Sequence, residues 1–399
     1  MYNGSVFKKL KLFAMKQLFR IVLVFCCLVL LWNPLGSCNE GTQLILSLDL
    51  RPIGYLYPVA ERDFRAYTFL RDSVAFLDDG TLAVSFYRKN ERPGLFPRDG
   101  TPGSAVVFHS VLLDPLTGSV MGQRTWGNAG NWNALLPLEN GCFLIQDEVW
   151  VKVYSRELRE IASKKLEMPG DILPRFSVSP SGHSLYEFQD WLDTKRGWLT
   201  RIDLLDPATL LTKQSKITPG HQFETVSDTR VAYFPTAIKG ALRLFVYAID
   251  DSSPAKSPEL FDQNTGTAKD LTKSGCESAS FVNNDVIAVT GNCPSLMLIR
   301  SGEEFAEVYL PEYWIGGEIR PSSGGQRFAF SRMKRKMRHS HITYLDLCVY
   351  DFAQHKVVFT TAVSPLPQHK FAFAISPDGS LLAMQSDGLL RVWRVAYSH

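Results

Sequence analysis

The sequence predicts an all-β protein built by repetition of one antiparallel unit, and three observations carry that expectation. Short runs rich in Val, Ile, Phe and Tyr recur along the chain, as at residues 149–155. Turn-forming clusters punctuate these runs: Asp78-Asp79-Gly80, Glu139-Asn140-Gly141, Ser179-Pro180-Ser181-Gly182, Ser376-Pro377-Asp378-Gly379 and Asp387-Gly388. Within the repeats no stretch carries the period of a long amphipathic helix.

The runs fall into sets of four. Residues 74–77, 82–87, 106–113 and 120–125 form the first, with a polar Pro- and Gly-rich loop at 88–103. The second is 134–138, 142–146, 149–155 and 161–166, and the third is 175–178, 184–188, 198–205 and 210–217. A fourth comprises 223–226, 230–234, 242–249 and 258–262, and a fifth 278–282, 285–290, 295–300 and 306–310. The sixth takes 318–321, 326–331, 344–350 and 356–361, and the last set, within 371–395, has three strands. Set starts near residues 74, 134, 175, 223, 278, 318 and 371 give a spacing of about 40 to 60, that of four-stranded propeller blades with variable loops. The last set lacks one strand, and residues 44–50 supply one with no local mate. A ring must close to hide its edges. The expectation is therefore a seven-bladed β-propeller of four-stranded antiparallel blades, closed by the N-terminal strand joining the C-terminal blade.

The two Ser-Pro-x-Gly turns, Asp387-Gly388 and the closing Arg391-Val392-Trp393 resemble WD40 and TolB-like (PD40) propeller repeats. The resemblance is good in the last set, fair at residues 176–186 and weak elsewhere, where the Gly-His and Trp-Asp pairs of regular WD40 blades are mostly missing. It implies a rigid scaffold, and the TolB-like side of it an envelope setting.

The first 38 residues read as a targeting segment. Ile21 to Leu31 is unbroken apolar sequence behind Lys8, Lys9, Lys11, Lys16 and Arg20. That is the plan of a signal peptide, and the run is short for a membrane span. Leu35-Gly36-Ser37-Cys38 resembles a bacterial lipobox, with Cys38 as the lipidated residue. Ordinary cleavage nearby and an uncleaved anchor are the alternatives. Residues 39–43 are a linker, and 44–399 a single propeller domain. Cys276 and Cys293 bracket a predicted hairpin and are expected to form a disulfide. Cys142 and Cys348 sit in apolar strands as buried thiols.

Charge narrows the function. With 43 basic and 40 acidic residues, net +3, the chain lacks the basic excess of a nucleic-acid binder. A Gly-x-Ser-x-Gly elbow, a phosphate-cradling loop and a dinucleotide fingerprint are absent from the sequence. Glu187, Asp190 and Asp193 beside Trp191 read as turn and strand-end residues rather than an acid–base pair. The segment WGNAGNWN brings Trp126, Asn128 and Trp132 together between two sets, a composition suited to carbohydrate or peptide binding or to packing between blades. Arg332 to His341, RMKRKMRHSH, holds Lys334, Arg335 and Lys336 in a loop that can grip anionic headgroups or an acidic partner. Its His339 and His341 lack the companions of a metal site. The reading is an exported, monomeric, non-catalytic scaffold for a protein or envelope ligand, attached to a membrane through its N-terminus and using no cofactor, metal or nucleic acid. The alternative is a propeller enzyme, a lactonase or glycan-active hydrolase or lyase, with its site at the central channel.

Overall fold

Many strands of this chain bury both faces, so their sequences run apolar instead of alternating. Val286–Thr290 is buried at every position, and Leu381–Ser386 at all but its first. Such strands need a packing layer on each side, and sheets set radially around an axis supply it. The computed structural model describes residues 42–55, 73–89, 106–128, 135–147, 149–167, 174–219, 223–233, 245–248, 278–290, 294–300, 303–309, 313–335, 342–367 and 371–395.

Strand β1 (Thr42–Asp49) leads into a single 3-10 turn at Arg51–Ile53. The first sheet is β2 (Ser73–Phe76), β3 (Leu82–Lys89), β4 (Val106–Leu113) and β5 (Val120–Asn128). The second is β6 (Leu135–Pro137), β7 (Phe143–Asp147), β8 (Trp150–Tyr154) and β9 (Glu160–Lys165). In the third, β10 (Arg175–Val178), β11 (Leu185–Asp193), β12 (Gly197–Leu205) and β13 (Thr212–Pro219) follow one another. The fourth has three strands among the described residues, β14 (Phe223–Val226), β15 (Arg230–Tyr233) and β16 (Phe245–Ala248). The fifth is β17 (Ser278–Phe281), β18 (Val286–Thr290), β19 (Ser295–Arg300) and β20 (Glu303–Tyr309). The sixth is β21 (Trp314–Pro321), β22 (Arg327–Arg335), β23 (Ile342–Asp351) and β24 (Lys356–Ala362). The last consists of β25 (Phe371–Ile375), β26 (Leu381–Ser386) and β27 (Leu389–Val395), with β1 antiparallel to β27 from Thr42↔Val395 to Asp49↔Leu389.

The first strands of successive sheets touch one another in order, and β25 touches β2. Apolar clusters fill the gaps between sheets. Phe108, Trp126, Phe143 and Tyr154 join the first and second, and Phe328, Phe330, Val286 and Leu298 the fifth and sixth. Between the last and first sheets lie Val74, Phe76, Phe86, Ala374, Leu390 and Val392.

The all-β propeller is the fold observed. The expected seven four-stranded blades need correction: six four-stranded blades and one three-stranded sheet are described. The strand expected at 258–262 lies outside the described residues, as does the 1–38 segment with Cys38. Other expected strands were too short. β11 runs to Asp193 and β22 to Arg335, because polar residues there still find a cross-strand partner, as in Asp190↔Thr200 and Lys334↔Tyr344.

From the first sheet to the last, the short turn after each first strand bonds to the turn of the next sheet, and these six junctions form a belt along one face. Gly141 N donates to Asp78 Oδ1, and Glu139 N to Gly182 O at 3.2 Å. His183 Nδ1 lies 2.6 Å from Glu139 Oε2. Asp228 is the busiest member. Its carboxylate accepts from Ser181 Oγ at 2.5 Å and Asn284 Nδ2 at 2.6 Å, while its backbone carbonyl accepts from Ser184 Oγ and Tyr186 OH, both at 3.0 Å. Asn283 Nδ2 donates to Gly325 O at 3.4 Å, and Gly324 N to Pro377 O at 3.0 Å. Hydrogen bonds to a charged carboxylate contribute about 1.5–3 kcal/mol each.

Burial opposes the charge of Asp228, but the hydroxyls of Ser179 and Ser181 and the amide of Asn284 prevail and hold its carboxyl below the usual carboxylate value. A lowered folded pKa means stability that is full above the unfolded value, near pH 4, and lost as pH falls through the folded one. Asp228→Ala is expected to cost about 2–4 kcal/mol at pH 7. Denaturant midpoints taken down to pH 3 should show the gap to wild type shrinking. A gap independent of pH would remove the ionised carboxylate from the account.

Candidate functional site

Because consecutive strands are antiparallel, the connections from second to third strand, and from one sheet to the next, emerge at the end opposite the belt. Residues 90–105, 129–134 and 336–341, which include Trp132 and Lys336, belong to these connections and lie outside the described residues. By chain order alone, Trp132 and Lys336 fall in connections of this second kind.

Trp126 does not belong to that surface. It is buried, and its Nε1 donates to Ser110 Oγ at 2.7 Å, which in turn sits 2.7 Å from Ser85 Oγ. The indole packs 4.4 Å from the Tyr154 ring of the next sheet, with the Arg124 guanidinium over it at 5.0 Å. Of the two readings of Trp126, binding is corrected and packing between blades is what is observed: the alternation of β5 turns it into the gap between sheets, where its area and N–H both find partners. Asn128 ends β5, paired with Val107. Trp126→Ala is expected to cost about 3–5 kcal/mol in unfolding free energy. A loss below about 1 kcal/mol would show that the gap collapses around the smaller side chain.

The basic segment also divides. Arg332, Lys334 and Arg335 lie in β22, not in a loop. Arg332 reaches Asp346 Oδ2 through Nε and Nη2, both at 2.7 Å, and Tyr344 OH donates to the same oxygen at 2.9 Å. Tyr313 presents its ring to both cations, with the Arg332 guanidinium 4.8 Å and Lys334 Nζ 4.6 Å from its centroid. Burial, then the bond to Asp346, push the Tyr344 phenol up to about 12. Burial works against the Arg332 charge, but Asp346 and its neighbours hold the guanidinium above its usual value. The first two cations of the run are therefore anchored on an aromatic and acidic base, and Lys336 to His341 continue from it. Sequence reading missed Tyr313 and Tyr344; their signal was aromatic residues at the same end of adjacent strands as a basic run.

The acidic trio is structural. Glu187 accepts from Lys164 Nζ at 2.6 Å, and Asp190 from Arg175 Nη2 at 2.8 Å and Thr200 Oγ1 at 2.6 Å. Asp193 caps the backbone of Lys195 and Arg196 at 2.8 and 2.7 Å. Cys142 is half-buried and Cys348 buried, both as free thiols, and burial pushes the Cys348 thiol up to about 12. Cys276 and Cys293 lie outside the described residues.

No protein-family model matches the chain, and no curated protein matches it. Among solved structures 839 chains match, so the architecture is common and carries no function by itself. One of them, a chain of the "Crystal Structure of Mitotic Checkpoint Complex", is similar over 89% of this chain and 96% of its own, with a TM-score of 0.51 at 12% identity. At that identity the likeness is one of fold alone. The class that the fold defines is a β-propeller.

Proposed function

We propose that this chain is an exported propeller that acts as a non-catalytic binding scaffold, engaging a protein or envelope ligand through the loops opposite the turn belt. The observation that carries the reading is the belt itself. It occupies the turns of one face in bonds between sheets, leaving recognition to the other. In this reading the basic segment from Lys334 onward, Asn128 and Trp132 are the residues that engage the ligand. The TolB-like flavour of the repeats and the N-terminal targeting sequence support an envelope setting, with lipidation at Cys38 as the means of attachment. In this reading the seven sheets act as blades of one ring, latched by β1. The neighbour named above comes from a protein complex, which suits a scaffold.

Affinity capture of the full-length tagged protein from gently cross-linked cells tests this. A dominant partner should be recovered by the wild type and lost from Trp132→Ala or from Arg335→Ser with Lys336→Ser, while melting temperature stays unchanged. Full retention by both variants would place recognition elsewhere.

A further inference from the structure

The outer strand of each four-stranded sheet begins at the belt end, and in four consecutive sheets that beginning is marked by an exposed aliphatic residue. Leu44 stands near the start of β1, Val120 and Met121 at the start of β5, Ile161 in β9 and Leu211 immediately before β13, with Leu116 in the turn leading to β5. These six are 48–69% exposed, and only four other large apolar residues of the described chain are comparably open. Scattered exposed leucines need no explanation. Six at one structural position in adjacent sheets do.

The packing makes the row continuous. Leu46 of β1 packs against the Gly118 turn of the first sheet, where an added Cβ would lie 2.9 Å from Leu46 Cδ1. Leu158, in the corresponding turn of the second sheet, packs on Gly122 of β5, whose Cβ would come 3.1 Å from Leu158 Cδ1. Arg124 Nη1 donates to the Leu158 carbonyl at 2.7 Å. Leu210, in the third, is buried among Leu138, Leu144 and Val153 of the second. Leu158 and Leu210 both adopt positive φ, 63° and 58°. A branched aliphatic residue takes that conformation only when its burial compensates. Each turn is thus held against the sheet before it, and the exposed neighbours form an arc along the rim. Among the described residues the fifth and sixth sheets do not continue the arc: β20 opens on Glu303-Glu304 and β24 on Lys356.

We propose that this arc rests on a lipid bilayer. The argument lies in where the chain enters the fold. Thr42 opens β1 within the arc, two residues before Leu44. Only residues 32–41 separate it from the apolar run ending at Leu31, a tether of at most about 35 Å. A bilayer that holds this run, or a lipid at Cys38, is within reach of the arc. Isolated Leu, Ile, Val and Met side chains on a rigid rim suit shallow insertion at the interface, where bound apolar area adds to an anchor too weak alone. The propeller would then meet the membrane with the rim of its first three sheets and its last, and hold the loop face clear for a partner. This inference rests on the membrane-attached form of the function proposed above.

The test reconstitutes the full chain with phosphatidylcholine–phosphatidylglycerol vesicles, carrying a photocrosslinking benzophenone side chain in place of Met121, Leu211 or, at the opposite end, Leu192. All three positions are exposed, so each variant should fold. Phospholipid adducts several-fold more abundant at 121 and 211 than at 192 are expected. Equal, low adduct yields on a chain that still floats with the vesicles would overturn the arc and leave the anchor standing. Failure of the unsubstituted chain to float would overturn the attachment reading and the arc with it. Adducts between protein chains at 121 and 211 would instead make the arc a self-association surface and overturn its role at lipid.

Discussion

Replacing Arg327 with alanine is expected to destabilise the protein by about 3–5 kcal/mol, among the largest losses for a polar residue outside the loops. The side chain is buried between the sixth sheet and the last, at the belt. Its Nε donates to Asp351 Oδ2 at 2.7 Å and its Nη1 to Gly379 O at 3.1 Å, while its backbone N–H meets Ser322 Oγ at 3.2 Å. Asp351 in turn caps Ala353 N and Gln354 N at 2.9 and 3.1 Å. Removing the cation leaves a buried carboxylate bound to its own turn with no counter-charge. The geometry also explains Gly379: at φ 75°, its missing Cβ would sit 2.6 Å from Arg327 Cδ. The double change Arg327→Met with Asp351→Leu should cost clearly less than Arg327→Ala alone, because an apolar pair asks for no counter-charge. Urea midpoints of the three proteins settle the matter, and equal losses for single and double variants would reassign the effect to the turn cap on Asp351.

The repeat was legible because its signals are local. An Asp-Gly or Ser-Pro-x-Gly turn between two apolar runs reads as a hairpin from a few residues, and the last sheet matched expectation for that reason, down to the turns at Gly379 and Gly388. β1 was legible by a different route: a strand without a local mate and a set short by one. Side-chain direction was not legible. Trp126 was counted among the binding residues, beside the reading of a Trp packed between blades, because Gly and Asn follow it, yet β5 continues past it and points it into the gap beside Tyr154. Arg332 looked like loop charge because of its company, yet it pairs with a buried Asp346 on the adjacent strand. Both errors come from judging a residue by its sequence neighbours when its partners lie on the next strand or the next sheet. The belt was missed for the same reason. Ser181, Asp228 and Asn284 each read as an ordinary turn former, and only the ring arrangement turns them toward one another.

The two ends of the sheets differ in how much change their connections tolerate. Turns that bond laterally cannot vary without loosening a junction, whereas connections on the opposite face carry insertions as long as residues 90–105 at small entropic cost. A surface that recognises a ligand is thus expected to be built from the second kind.

Leu48→Asp is expected to cost about 2–4 kcal/mol and to make the protein associate at concentrations where the wild type does not. Leu48 pairs with Leu390 and packs on the cluster between the last and first sheets. Its strand is followed by residues that tie those two sheets together. Leu50 N donates to Gly388 O at 2.8 Å, and Tyr55 bridges to Arg88 of β3 with its ring 5.7 Å from Phe86. Gly388, at φ 78°, leaves the room this ring fills; a Cβ there would lie 2.8 Å from Tyr55 Cδ1. A carboxylate driven into this cluster has no cation on β27 at Leu390 to meet it, so β1 should detach before the rest of the sheet melts. Detachment exposes the outer edge of β27, a row of unpaired backbone groups that templates pairing with another chain. Leu44→Asp, at an exposed position of the same strand, is the control and should change stability little. Sedimentation velocity and urea unfolding of the two variants distinguish a latch from an ornament. If Leu48→Asp sediments as the wild type does and keeps a wild-type midpoint, the ring is held by its inner strands alone and β1 is dispensable to it.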